Sequence, residues 1–227
     1  MLKAVLFDLD GTLANTDPIH FQLWQELLVP YGMTIDQEFY DRRISGRLNI
    51  DIVQDLLPQL SPDDGVVFSA NKEARFRTIA ADQLQRMPGL TDFLHHIKQH
   101  GYATALVTNA PRPNAEFMLK TLTLNGVFQP VIIADDLPKG KPDPLPYQTA
   151  LDNLGIAPEE AIVFEDSPSG VRSAVAAGIT TIGMTSTHSD TALQQLGVEF
   201  TIADFTDGRL LSYVGQPPRS GDPCLSR

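Results

Sequence analysis

The sequence predicts an α/β fold: a doubly wound, mostly parallel, Rossmann-like sheet with a helical cap domain inserted after the first strand. Three observations predict it. Five short apolar runs, Ala4–Phe7, Ala103–Thr108, Val131–Ala134, Ala161–Glu165 and Thr180–Met184, have the length and composition of buried strands. Amphipathic helical stretches separate most of them, and that alternation implies parallel strands joined by right-handed crossovers. The alternation breaks once. Between Phe7 and Ala103 helical patterns follow one another without a strand, as expected for a second unit inserted into the first.

The elements can be justified in chain order. The first strand, Ala4–Phe7, runs into Asp8-Leu9-Asp10-Gly11-Thr12, where Gly11 provides a bend. The insertion reads as helices over Pro18–Leu28, Asp36–Arg43, Ile50–Leu57 and Ser69–Leu84, with hinges near Ala14–Asp17 and Met87–Gly89. Trp24 falls among the apolar residues of the first of these and is assigned to the packed interior of the insertion. The alternating part resumes with helices over Leu90–His100, Pro113–Leu124, Leu145–Leu154 and Pro168–Ala177. Asp17-Pro18, Asp143-Pro144 and Ser167-Pro168 each place a capping side chain before a proline suited to the first helical position. The expected organisation is an α/β core of residues 1–15 and 88–214, a cap of residues 16–87, and a Pro-, Gly- and Ser-rich tail of residues 215–227.

Composition narrows the function. The 227 residues are 42% hydrophobic and 20% charged, a globular balance. A net charge of −11 disfavours nucleic acid and anionic membrane as partners. The single cysteine, Cys224, excludes an intrachain disulfide and fits a reducing cytoplasm. Asp8 and Asp10 interrupt the N-terminal apolar segment too early for a signal peptide, and no apolar run is long enough to span a bilayer. The expected state is a cytoplasmic monomer or weak dimer.

In doubly wound sheets ligands bind beyond the carboxyl ends of the strands, so the polar residues there carry the chemistry. Asp8 and Asp10 close the first strand. Two buried carboxylates one residue apart are costly unless a cation lies between them, and Mg²⁺ suits carboxylate oxygens while leaving room for a phosphate. One carboxylate can attack phosphorus and the other can move protons. Thr108-Asn109 closes the second strand and offers a hydroxyl and backbone N–H groups to phosphate oxygens. In Lys139-Gly140-Lys141-Pro142, the proline keeps Lys141 extended and out of the following helix, free to reach the cleft as a point charge, while Lys139 stays solvated. Glu165-Asp166 ends the fourth strand where a helix begins; adjacent acids project differently, so one of the two is expected to reach the metal directly.

Together these four segments resemble the haloacid dehalogenase-like hydrolase superfamily, in the superfamily's order and across nearly the whole chain except the tail. Asp17-Pro18-Ile19-His20 and Phe164-Glu165-Asp166-Ser167-Pro168-Ser169-Gly170-Val171 are most similar to its β-phosphoglucomutase and sugar-phosphate phosphatase branch. The resemblance implies that Asp8 is the nucleophile and Asp10 the general acid/base, and that Thr108 and Lys141 bind the phosphoryl group; Asn109, beside Thr108 at the strand end, is a further candidate for phosphate binding. It also implies Mg²⁺ held by the Asp8 carboxylate, the Asp10 main-chain carbonyl and Asp166, with Glu165 nearby or through water. A haloacid dehalogenase needs no acid for a departing halide, so the presence of Asp10 favours phosphoryl transfer.

The insertion is expected to exclude water and select the substrate, a small phosphorylated metabolite. His20, Gly46, Arg47, Asn49 and Lys72 are its candidate contacts. Ser45-Gly46-Arg47-Leu48-Asn49 resembles the superfamily's specificity loop, although the mutase carries an arginine where Asn49 stands. The expected activity is Mg²⁺-dependent hydrolysis of a small phosphomonoester, a sugar phosphate, through an aspartyl-phosphate. A β-phosphoglucomutase-type phosphomutase is the alternative, and a non-catalytic binding relative comes third. His95, His96 and His100 lie on one helix with no acid or cysteine partner and read as a solvated face.

Overall fold

The computed structural model describes residues 1–215. The tail assigned to residues 215–227, and Cys224 within it, lie outside the described residues apart from Gly215. Six parallel strands form one sheet: β1 (Ala4–Phe7), β2 (Ala103–Thr108), β3 (Val131–Ile133), β4 (Ala161–Glu165), β5 (Thr180–Met184) and β6 (Phe200–Ile202). Their spatial order is β3-β2-β1-β4-β5-β6. The order reverses at β1, which pairs with β2 on one side and β4 on the other, Phe7 standing opposite both Leu106 and Phe164. This register brings the carboxyl ends of β1, β2 and β4 level, at the point where such sheets open a crevice.

All four residues of β1 are fully buried, which is why the sequence shows a continuous apolar run rather than alternation. Phe7, Phe93, Phe128, Phe164 and Phe205 pack around one another on one face of the sheet, with ring centroids 5.1–6.3 Å apart. Leu6, Val163, Tyr147 and Ala174 belong to the apolar layer of the other face.

Between β1 and β2 come α1 (Asp17–Leu28), α2 (Gln37–Arg43), α3 (Asn49–Leu56), α4 (Pro62–Ala80) and then α5 (Leu90–Gln99). The first four form the helical cap. Its own apolar cluster contains Trp24, Leu28, Tyr40, Ile44, Ile52 and Leu57. Ile19, Leu23, Phe76 and Ala80 instead join the cluster beneath the sheet, so α1 and α4 anchor the cap to it. The two chain crossings run side by side, with the Met87 N–H donating to the Leu13 carbonyl at 2.8 Å.

The remaining helices are α6 (Arg112–Thr121), α7 (Leu145–Leu154), α8 (Pro168–Ala176), α9 (Asp190–Gln194) and α10 (Arg209–Val214). Several boundaries differ from expectation. The fourth cap helix starts at Pro62 rather than Ser69, because Ser61 accepts the Asp64 N–H and Pro62 occupies the first position. β6, α9 and α10 are short elements that carried no periodic signal. Of the three expected capping residues only Ser167 acts as one, accepting the Gly170 N–H. Asp17 lies inside α1 and accepts the Tyr40 hydroxyl at 2.7 Å instead. Asp143 accepts the Leu145 N–H, and α7 begins at that residue. Among the described residues no helix is long and apolar enough to cross a membrane.

Candidate active site

Asp8 follows β1, and its N–H donates to the Phe164 carbonyl at 3.0 Å, so the chain stays in register with β4 one residue past the strand. Its side chain therefore rises at the reversal point of the sheet. Gly11 then turns the chain with φ +74°, and a Cβ there would overlap the Asp166 carboxylate. Only glycine permits that approach. Asp8, Glu165 and Asp166 each contribute an oxygen to a cluster spanning no more than 4.8 Å, the one such cluster among the described residues.

Lys141 is the counter-charge. Its ammonium has three protons and meets three acceptors: Asp8 Oδ1 at 2.6 Å, Glu165 Oε1 at 2.7 Å and the Val107 carbonyl at 2.7 Å. Asn109 fixes its backbone. The Asn109 Nδ2 donates to the Lys141 carbonyl and its Oδ1 accepts the Lys141 N–H, both at 3.0 Å. The Lys141–Pro142 bond is cis. Lys139 is exposed and pairs with Asp143 at 3.0 Å.

The four charges do not balance. Three buried acids face one buried lysine. Burial pushes the Asp8 carboxyl up to about 8, against the pull of Lys141 and helped by Glu165. Burial, Asp8 and Glu165 push Asp166 well above the carboxylate range. Burial lowers Lys141, but Asp8 and Glu165 outweigh it and hold the ammonium above its ordinary range.

The two acids after β4 have different surroundings. Glu165 has no exposed surface; Oε1 accepts from Lys141 and the Tyr147 hydroxyl, and Oε2 from the Ser167 N–H and hydroxyl. A Cβ at Gly170 would overlap its carboxylate. Asp166 lines the cavity beside Asp8 and accepts the Thr187 hydroxyl at 2.5 Å. Tyr147 and Thr187 carry no pattern in the sequence, and Ser167, read there as a helix cap, also holds Glu165.

Asp10, Thr108, Asn109 and Lys141 line the same cavity from the sheet side. Asp10 Oδ1 accepts the Thr16 hydroxyl at 2.9 Å and lies 3.7 Å from His20 Nε2. The buried Thr108 hydroxyl accepts the Ala110 N–H at 2.9 Å, which folds the loop after β2 over the strand end.

From the cap, His20, Gly46, Arg47, Asn49 and Lys72 all line this cavity, with Trp24, Ile52 and Glu73. Lys72 is only 3% exposed on α4. Its Nζ donates to Glu73 Oε1 and to His20 Nδ1, both at 2.8 Å. An ammonium cannot accept, so Nδ1 must, and the ring proton of His20 sits on Nε2 toward Asp10. The Arg47 guanidinium is engaged by Asp55 at 2.8 Å and by the Arg43 and Asp51 carbonyls. Glu73, absent from the sequence reading, also accepts from Asn49 and from Asn114 of α6. His95 is exposed, and the half-buried His96 and His100 rings stand 4.0 Å apart.

The chain is 34% identical over 209 residues to validoxylamine A 7'-phosphate phosphatase of Streptomyces hygroscopicus subsp. limoneus, covering 92% of this chain and 97% of that protein. It is 32% identical over 182 residues to the phosphorylated carbohydrates phosphatase of Thermotoga maritima, covering 80% and 84%. The crystal structure of a HAD hydrolase of family IA, variant 3, from Entamoeba histolytica superposes with a TM-score of 0.83 at 28% identity, covering 90% and 94%. A family model described as haloacid dehalogenase-like hydrolase matches residues 5–184, a span that contains all four strand-end segments built above. The chain therefore belongs to the haloacid dehalogenase-like hydrolases.

Proposed function

We propose that this protein is a Mg²⁺-dependent phosphatase that hydrolyses a small phosphomonoester, a sugar phosphate, through an aspartyl-phosphate on Asp8. The observation that carries the reading is the convergence of Asp8, Asp166 and Lys141 in one cavity from three separate parts of the sheet. Phosphatase relatives at more than 30% identity support the reaction class.

The residues fit a divalent cation. Three buried acids share one lysine, and burial, helped by the neighbouring acids, raises Asp8 and Asp166. Asp8, Asp166 and the Asp10 carbonyl would hold the ion, with Glu165 as the neighbouring acid that holds Lys141. Bound there, Mg²⁺ would offset charge on the phosphoryl oxygens.

The chain's own residues account for the proton and bond bookkeeping. Lys141 occupies Oδ1 of Asp8, which leaves Oδ2 to attack phosphorus. As the ester P–O bond breaks, Asp10 gives its proton to the leaving oxygen. Asp10 then takes a proton from water, which attacks the aspartyl-phosphate; inorganic phosphate leaves and Asp8 is restored. Thr108, Asn109 and Lys141 hold the transferring group. The cap, residues 16–87, closes over the cleft by turning at Ala14–Asp17 and Met87–Gly89 and keeps bulk water out. The acidic net charge favours a cytoplasmic small-molecule substrate over nucleic acid or membrane.

A phosphate-release panel over sugar phosphates, phosphoglycolate and nucleotides, with Mg²⁺ or EDTA, tests the reading. Metal-dependent release that Asp8→Ala abolishes is expected. Conversion of β-glucose 1-phosphate to glucose 6-phosphate without release would replace it with a phosphomutase, and turnover retained in Asp8→Ala would remove the nucleophile.

A further inference from the structure

Lys72 is a buried cation at the cap end of the cavity, a position that invites a second anionic group on the substrate. Its surroundings argue otherwise. Glu73 Oε1 sits 2.8 Å from its Nζ, and the pair is almost entirely withdrawn from water. Burial alone would raise the Glu73 carboxyl, but the Lys72 charge and the hydrogen bonds from Lys72 and Asn49 overcome it and hold it at about 2, so it is a carboxylate at any working pH. Lys72 also spends a second proton on His20 Nδ1, leaving one N–H for a ligand. The other cap cation in the lining, Arg47, is already committed to Asp55 and two carbonyls. Counted around the whole lining, Asp8, Asp10, Asp17, Glu73 and Asp166 outnumber Arg47, Lys72 and Lys141.

Glu73 also organises the neutral polar groups of this end. It accepts from the Asn49 amide at 2.5 Å at the first position of α3 and from the Asn114 amide on α6, and Asn114 Oδ1 accepts from Arg77 at 2.5 Å. Arg77 does not line the cavity. The groups left facing the substrate are amides, an imidazole, one lysine N–H and the apolar surfaces of Trp24 and Ile52. Such a set pairs with hydroxyls and sugar C–H faces rather than with a carboxylate or phosphate.

We propose that Glu73 determines the substrate class: by cancelling the Lys72 charge it makes the cap end of the cavity a site for a neutral, hydroxyl-bearing group and rejects a second anion. The proposal rests on the phosphatase reading above. Glu73 acts through Lys72, Asn49 and Asn114 and is a positioning residue.

The test is phosphate release with Mg²⁺ from matched six-carbon substrates: a hexose or hexitol 6-phosphate against 6-phosphogluconate and a hexose 1,6-bisphosphate. Wild-type kcat/KM is expected to favour the neutral-ended substrates at least tenfold. Glu73→Gln frees the Lys72 charge and is expected to shrink that preference at least tenfold, through KM for the anionic substrates. The double variant Lys72→Met/Glu73→Gln is expected to restore it, an outcome that a purely structural role for Glu73 does not produce. Lys72→Met alone leaves Glu73 unpaired and is expected to widen the preference. Should Glu73→Gln fail to fold, the wild-type ratio and Lys72→Met still decide. A wild-type preference for the anionic substrates, or equal loss on every substrate in Glu73→Gln, overturns the proposal alone. No release from any substrate overturns the phosphatase reading and the proposal with it.

Discussion

Lys141 Nζ lies 2.6 Å from Asp8 Oδ1, across 133 positions of sequence. Both groups are buried, and Glu165 completes a three-member ion cluster. Removing one partner of such a buried pair leaves an uncompensated charge, at a cost of about 3–5 kcal/mol. Lys141→Ala is therefore expected to lose both stability and turnover, read by chemical denaturation and by phosphate release. An unchanged denaturation midpoint would mean that the pair does not anchor the strand ends.

Asp8→Asn keeps the shape and removes the proposed nucleophile. It is expected to fold and to lose at least about a thousandfold in kcat. It also removes one of three crowded acids, so the metal-free variant is expected to melt no lower than wild type at pH 8, as read by calorimetry in EDTA.

The raised Asp8 carboxyl sets a pH dependence. Its ordinary value is 3.8 and its folded value about 8, so the folded state binds more protons between those limits. Stability of the metal-free protein is expected to fall as pH rises across that window. The proposed Mg²⁺ would favour the carboxylate form and is expected to raise the melting temperature most at the alkaline end. Glu73 runs the other way. Its depressed value of about 2 gives stability that is complete above about pH 4.5 and is lost as pH falls toward 2. A melting series from pH 3 to 9, with and without Mg²⁺, reads both; a metal effect independent of pH would contradict the first.

Asn109→Ala deletes two hydrogen bonds to the Lys141 backbone. The expected cost is about 1–3 kcal/mol, with a rise in KM as the ammonium loses its fixed position. Activity indistinguishable from wild type would show that Lys141 is held by its side-chain partners alone.

Trp24 is 2% exposed in the cap cluster, beside Phe68 at a centroid distance of 6.0 Å. Trp24→Ala is expected to cost about 3–5 kcal/mol and to loosen the cap first. Hydrogen exchange should quicken across the cap helices while β1, β2 and β4 stay protected; uniform loss of protection would tie the two apolar clusters into one cooperative unit.

By itself the sequence determined the alternating architecture, the place of the cap and the acids and lysine at the strand ends. Fully buried parallel strands must be continuous apolar runs, and the polar residues that end them stand out against that background. β1, β2, β4, β5 and α7 accordingly match the expected ranges residue for residue, while the three-residue edge strand β6 left no pattern to read. Only the tertiary structure decided which groups share charge. Glu165 and Asp166 are neighbours in sequence, yet one is sealed against Lys141 and Tyr147 and the other faces the cavity. Lys72 is a candidate contact in the sequence, but its burial and its pairing with Glu73 arise only when α1, α3 and α6 close around them. Burial and pairing are properties of distance in space, and spacing along one chain does not encode them.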